Sequence, residues 1–295
     1  MPASGPILIT GATGQSGRPT AQLLLERGHH VRALVHTEDA RSRDLANAGA
    51  EVLVGDLQDL QSTGAALSGV RSAYFVYPVE MGLVQATSLF ALAAAEAGVE
   101  GVVNMSQMPA RRDAVSNAMR DHWISERVLD WSPVPVTHLR PTLFAEWLTI
   151  EPRSVADQGV LRLPMGNGRH APIAAIDIAH VVAAILENPQ GYGGKTYTLT
   201  GPVELDHTEI AEIMSDALGR VITYSPMSDA DFAHALESQG RSPHLIQHLT
   251  NVVRDYREGR FKGVSDSVES IGRIQPTSVG DFVRGNLQLF AAASV

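Results

Sequence analysis

A doubly wound α/β fold, built on a parallel sheet with a smaller, mostly helical C-terminal lobe, is predicted by three features of the sequence. The first is Ile7-Leu8-Ile9 running directly into Thr10-Gly11-Ala12-Thr13-Gly14-Gln15-Ser16-Gly17 and then into a helical pattern from Pro19 to Glu26. The second is the alternation of short β-branched runs with helical patterns through the first half of the chain. The third is a change of character after Arg140-Pro141, beyond which helical patterns dominate.

Each glycine of the opening turn has a physical reason. Gly11 permits a tight turn, Gly14 lets backbone approach a pyrophosphate, and Gly17 lets the following helix pack close to the strand. The helix start offers free N–H groups and the positive end of its dipole to an anion. Gly11, Thr13, Gly14, Gln15, Ser16 and Gly17 are therefore the candidate phosphate loop. A glycine triplet alone is weak evidence; the strand before it, the helix after it and a second strand pattern at Val31–Val35 supply the dinucleotide-binding context.

Further strands are expected at Glu51–Val54, Ala73–Val76, Val102–Asn104 and Val136–Arg140. Helices between them are expected near Ala40–Asn47, Leu57–Leu67, Leu83–Ala97 and Asp113–Leu129, the alanine-rich third one ending at Gly98. Beyond Pro141, Phe144–Ile150 reads as helical, Val160–Leu163 as a short strand and Met165–Gly168 as a turn. Ile176–Leu186 reads as a helix opened by Asp177, and Thr196–Leu199 as a strand that rejoins the sheet. Helices follow at Thr208–Leu218, Asp229–Gln239, Pro243–Glu258 and Thr277–Phe290. The organisation this implies is a dinucleotide-binding core over 1–150 and a substrate lobe over 151–295, with about 174–200 returning to the core.

Composition narrows the function classes. The net charge of −9 argues against a nucleic-acid partner, whose phosphates need a basic face. With no cysteine, disulfides, thiolate catalysis and sulfur-ligated metals are excluded. Ile7–Ile9 is too short for a signal peptide or a membrane span, so a cytoplasmic protein acting on a small molecule, as monomer or homodimer, is expected.

The end of the second strand ordinarily reads the adenosine ribose: an acid there favours NAD, a basic group the 2′-phosphate of NADP. Here that position is His36, and Arg32, Arg41 and Arg43 lie close by in sequence. NADP(H) is thus preferred over NAD(H), with Glu38 and Asp39 left either to cap the next helix or to repel the phosphate. Asp56 and Leu57 follow the third strand, where the carboxylate can accept from the adenine amino group and the leucine can cover the ring; helix capping by Asp56 or Asp59 is the alternative. Tyr77 and Pro78 after the fourth strand, and Ser106 after the fifth, lie at the edge where the nicotinamide half belongs.

The Thr-Gly-x-x-Gly-x-x-Gly start, Gly55-Asp56-Leu57 and Leu139-Arg140-Pro141 resemble the atypical short-chain dehydrogenase/reductase superfamily. The segment Asp121-His122-Trp123-Ile124-Ser125-Glu126-Arg127, Ile176-Asp177-Ile178-Ala179, and the ending Tyr256-Arg257-Glu258-Gly259, Gly272-Arg273 and Asp281-Phe282 are similar to its NmrA-like branch. That resemblance implies a Rossmann core with a small substrate lobe and a preference for NADPH in many members. It also implies one of two roles: reduction of quinones, azo dyes, iminium intermediates or phenylpropanoid ethers, or binding without turnover by a redox sensor that acts on a protein partner.

The superfamily's usual proton relay is a Tyr followed four residues later by a Lys. No tyrosine here has that lysine, the only lysines being Lys195 and Lys262. An acceptor that takes hydride without a strong acid on an alkoxide (a quinone, iminium, azo group or enone) is therefore expected. His122 and Glu126 share a helix face. His122 either donates a proton or binds substrate with Glu126 raising its pKa, or else holds the loop or ribose while Glu126 pairs with an arginine. His244 and His248 have a spacing compatible with a metal, but without a third ligand a wet helix face is expected. Trp123, Phe144 and Trp147 are either pocket wall or plain core, and 229–258 is expected to wall the cleft and to act as a lid.

Overall fold

The computed structural model describes residues 5–150 and 152–291; residue 151 and both ends of the expected domain ranges, 1–4 and 292–295, lie outside them. Along the chain run β1 (Ile7–Ile9), α1 (Gly17–Glu26), β2 (Val31–Val35), α2 (Ala40–Asn47), β3 (Glu51–Val54), α3 (Leu60–Leu67), β4 (Ser72–Phe75), α4 (Leu83–Glu96), β5 (Gly101–Met105), α5 (Asn117–Asp130) and β6 (Val136–Pro141). Then come α6 (Pro152–Gln158), β7 (Val160–Leu163), α7 (Ala175–Glu187), β8 (Thr196–Leu199), α8 (His207–Leu218), β9 (Thr223–Pro226), α9 (Asp229–Ser238), α10 (Pro243–Arg257), α11 (Ser267–Gly272) and α12 (Val279–Gly285).

Seven parallel strands form one sheet in the order β3-β2-β1-β4-β5-β6-β8, and β7 with β9 forms a separate parallel pair. The strands are apolar runs because both faces of the sheet are covered. Leu24, Val181, Val182 and Ile271 pack on one face from α1, α7 and α11. Leu67, Ala86 and Phe90 pack on the other from α3 and α4, Phe90 lying 4.5 Å from Phe75 between ring centroids. A third core, with Met119, Leu143, Met214, Phe232, Val253 and Phe282, joins α5, α8, α9, α10 and α12. The chain order reverses between β1 and β4, and ligands of such sheets sit outside the strand ends at that point.

Several element starts differ from the sequence reading, each for a local reason. Asp59, not Asp56, caps α3 by accepting from Ser62 N at 2.6 Å, so the helix begins at Leu60. Ser116 caps α5, moving its start to Asn117. Asp177 is not the cap of α7: it lies inside the first turn and accepts from Thr277 N at 2.8 Å and Thr277 Oγ1 at 2.7 Å. It thereby ties the C-terminal segment to the core. The expected helix over Thr277–Phe290 is α12, capped by Ser278, followed by a separate 3-10 turn at Leu287–Phe290. Phe144–Ile150 likewise holds a 3-10 turn, Ala145–Thr149. The sequence reading missed α6, β9 and α11, all of them short.

Candidate functional site

A cleft of about 930 Å³ runs from the glycine-rich loop, across the ends of β2–β6, to α10. At its start the loop is set by packing. Gly11 has φ +54°, and a Cβ there would meet Val76 Cγ1 at 3.0 Å. A Cβ on Gly17 would lie 2.3 Å from Gly11 O, so Gly17 is where the helix presses against the turn, and it does not line the cleft. Gly11, Thr13, Gly14, Gln15 and Ser16 do line it. Ser16 precedes α1 without capping it; its hydroxyl instead accepts from Tyr74 at 2.9 Å. Among the described residues, the amides of Thr13, Gln15 and Ser16 donate to no protein acceptor, whereas Gly14 N donates to Gly11 O at 2.9 Å.

His36, Asp56, Leu57, Tyr77 and Pro78 all line the same cleft. Asp56 uses Oδ1 to accept from Gln58 N at 2.8 Å, which fixes the turn after β3. Tyr77 Oη donates to Met81 O at 3.1 Å and accepts from Gln58 at 2.9 Å. Arg41 does not line the cleft: its Nε and Nη2 pair with Asp39 at 2.8 and 2.6 Å, and its Nη1 lies 3.4 Å from Thr13 O of the loop. Asp39 is thus a cap for α2 and a partner for Arg41. Arg32 is nowhere near the strand end; it binds Glu51, Ala66 O and Ser68 O at the opposite edge. The expected cationic contribution of Arg32 is corrected accordingly, because a residue one step into β2 lies a strand's length from His36.

Ser106 stands at the end of β5 and donates to Glu126 Oε1 at 2.6 Å. Arg140, from β6, forks onto the same carboxylate, with Nε 2.8 Å from Oε1 and Nη2 2.5 Å from Oε2. Burial pushes the Glu126 carboxyl up, but the Arg140 and Ser106 hydrogen bonds outweigh it and hold the pKa below its ordinary value. Glu126 therefore serves Arg140 and not His122. His122 lines the cleft, its Nδ1 sealed and without a partner, and burial pushes its pKa down to about 4 against a weak pull upward from Glu126. Glu126 does pull this imidazole's pKa upward, as expected, but desolvation is the larger effect and the net shift is downward.

The far wall comes from α9 and α10, through Leu236, Leu245, His248, Leu249 and Val252. Arg111 holds α10 by forking onto Asp255 at 2.8 Å on both nitrogens. Gln247 docks the helix on the start of α5, accepting from Asn117 N at 3.0 Å and donating to Val115 O at 2.9 Å. Phe144 and Trp147 line the cleft, whereas Trp123 does not and lies under Arg127 instead. Glu146 also lines it: Oε1 accepts from Ala175 N at 3.1 Å, Oε2 is sealed without a partner, and burial pushes the carboxyl up.

A family model for the NmrA-like family matches residues 3–271. The chain belongs to the NmrA-like family. It is 28% identical over 289 residues to an NAD(P)H azoreductase of Xenophilus azovorans, covering 97% of this chain and 100% of that protein. It is 29% identical over 260 residues to quinone oxidoreductase 2 of Escherichia coli, covering 87% and 88% of the two chains. The structure of the E. coli NADPH-dependent quinone oxidoreductase in complex with NADPH superposes with a TM-score of 0.83 at 26% identity, over 95% of this chain and 99% of that one. That of NmrA, a negative transcriptional regulator in complex with NADP, gives 0.82 at 17% identity over 97% and 96%, a likeness of fold.

Within this NmrA-like chain, Glu146 escaped the sequence reading, and so did the roles of Arg140 and His248. Arg140 was visible only as part of Leu139-Arg140-Pro141; its pairing with Glu126 depends on β6 lying beside β5, which spacing along the chain does not express. His248 does not lie on a wet face: it is 4% exposed, lines the cleft and is 2.8 Å from Ser116 Oγ through Nδ1. Its signal was its place in the apolar stripe with Leu245 and Val252. Among the described residues no group of His, Asp or Glu is arranged to hold a metal. Lys195 and Lys262 do not line the cleft.

Proposed function

We propose that this chain is an NADPH-dependent reductase that delivers hydride to a conjugated acceptor, a quinone, azo, iminium or enone group, without a Tyr–Lys pair. The observation that carries the reading is one continuous cleft, with unpaired loop amides at one end and an apolar wall at the other. The loop suits a diphosphate: Gly14 lines the cleft with bare backbone, which lets an anion come close, and an added Cβ would also crowd Gly11 O at 3.1 Å. Gly11, Thr13, Gly14, Gln15 and Ser16 would hold the diphosphate, His36 and Arg41 the 2′-phosphate, Asp56 and Leu57 the adenine, and Tyr77, Pro78 and Ser106 the nicotinamide half. Gly17 acts beneath them by keeping α1 against the turn. The cofactor, once bound, supplies the hydride. The protein's own work is to orient the acceptor in a dry cleft and to keep water out with Phe144, Trp147 and Leu249. Residues 1–150 would form the cofactor core and 151–295 the acceptor lobe, with 174–200 packed on the core.

The names of the azoreductase and quinone oxidoreductase relatives favour this reading. The test is absorbance of the reduced cofactor with a panel of quinones, azo dyes, enones and cyclic imines. Turnover with at least one acceptor is expected, with tighter binding of NADPH than NADH, and a shift toward NADH in His36→Asp. Tight binding of oxidised and reduced cofactor without turnover of any acceptor overturns the reading in favour of a redox sensor acting through a protein partner.

A further inference from the structure

We infer that His122 and His248 act together as neutral N–H donors that hold the carbonyl oxygen of a quinone or enone and stabilise the negative charge it gains on reduction. This rests on the reductase reading above and names its acceptor class. The two imidazoles come from different helices, α5 and α10, and both line the cleft although only 6% and 4% exposed. The wall around them is apolar, with Met105, Leu143, Leu245, Leu249 and Val252.

The hydrogen bonds set where each ring carries its proton. Ser116 Oγ accepts from Met119 N at 3.2 Å, and among the described residues His248 Nδ1, at 2.8 Å, is the one acceptor in reach of its hydroxyl proton; we therefore assign the hydroxyl as donor to Nδ1. His248 then bears its own proton on Nε2. Nδ1 of His122 is sealed without a partner, and an orphaned N–H is rarer in proteins than an orphaned lone pair. The His122 proton is therefore also on Nε2, the nitrogen that is not sealed. Both rings stay uncharged at neutral pH. Burial is the main reason, Glu126 pulling only weakly on His122 while His122 and His244 oppose a charge on His248.

Hydride addition to a carbon conjugated to the carbonyl moves the π pair onto oxygen and oxidises the nicotinamide. A proton from water then gives the saturated ketone or, after a further proton shift from the ring carbon to the second oxygen, the hydroquinone. Two uncharged donors lining one apolar cleft suit that developing charge in a site shielded from water. A cationic acceptor is neutralised by hydride and forms no anion, so the pair gives it no advantage.

The probe is 4-nitrophenolate, an anionic oxygen on a flat ring, compared with neutral 4-nitroanisole by calorimetric titration at alkaline pH. The unmodified protein is expected to prefer the phenolate by about ten- to a hundredfold. The preference should shrink by a similar factor in His248→Leu and His122→Leu, and recover in part in His248→Gln, which keeps an N–H. Equal binding of both probes by the unmodified protein overturns the inference without any variant, as does a preference that survives both leucine substitutions. Quinone turnover should be flat through the range where an ordinary imidazole titrates; an acid limb there assigns a charged proton donor instead and overturns it too. NADPH titrated in parallel separates the two readings: no NADPH binding overturns the reductase reading, and NADPH binding without phenolate preference overturns this one alone.

Discussion

Gly17 tolerates a side chain least of the three glycines in the opening turn: an added Cβ would stand 2.3 Å from backbone, against 3.0 Å at Gly11 and 3.1 Å at Gly14. Gly17→Ala should therefore lower stability by about 1–3 kcal/mol through overpacking, seen in a denaturant midpoint. Gly14→Ala should leave the midpoint nearly unchanged yet weaken NADPH binding in a fluorescence titration. The reverse ranking would dissociate the loop from the cofactor. A second residue-scale expectation concerns Glu126, fully buried, hydrogen-bonded to Ser106 and Arg140 and 3.5 Å from Arg127 Nη2. Glu126→Leu strands the Arg140 guanidinium and should cost about 3 kcal/mol of stability; an unchanged midpoint would mean that water or another carboxylate replaces it. At this scale the sequence expressed what depends on neighbours along the chain. The roles assigned to the loop glycines follow from local turn geometry, whereas Asp177 looked like a cap because its true partner, Thr277, is 100 residues away.

Helices α5, α8 and α10 bury imidazoles in numbers that matter for acid stability. The Tyr256 hydroxyl donates to Gly168 O at 2.9 Å and stands 3.1 Å from His170 Nδ1 and 3.2 Å from His207 Nδ1. Burial depresses all four rings from the ordinary 6.5: His122 and His207 to about 4, His248 to about 3, and His170 well below its usual value. Asp206 pulls His207 upward, while His207 opposes charge on His170. A depressed folded-state pKa means that the unfolded chain binds more protons. Each ring then contributes stability above pH 6.5 that is lost as the pH falls toward 4, at up to about 1.4 kcal/mol per pH unit. Glu146 and Asp177, whose carboxyls burial pushes up, oppose part of that loss. The urea midpoint should fall from pH 7 to pH 5, less so in His207→Phe, and a midpoint that holds steady or rises would refute the assignment. Elements themselves were read well where periodicity ran long, as in α8 and α10, and missed where six or seven residues carried it, as in α11 and α6.

Across the whole molecule, the parallel sheet was legible in the alternation of the first half of the chain and β8 returns to that sheet as read, whereas the strand order and its edge place beside β6 were not expressed along the chain. What the sequence withheld is the juxtaposition of distant segments, such as α10 against α5, on which both His248 and the cleft wall depend. That wall has a consequence for how the molecule changes partners over time. Leu236, Leu245, His248 and Val252 belong to one uninterrupted stretch, α9–α10, that contributes no strand to the seven-stranded sheet and none of the loop amides. Under the proposed function, replacing residues 228–258 with the matching stretch of a relative should change which acceptor is reduced while leaving NADPH affinity within about threefold, since none of the loop residues is exchanged. On that same reading, acceptor choice can then be retuned through this stretch while the glycine-rich loop and its hold on the reductant stay as they are.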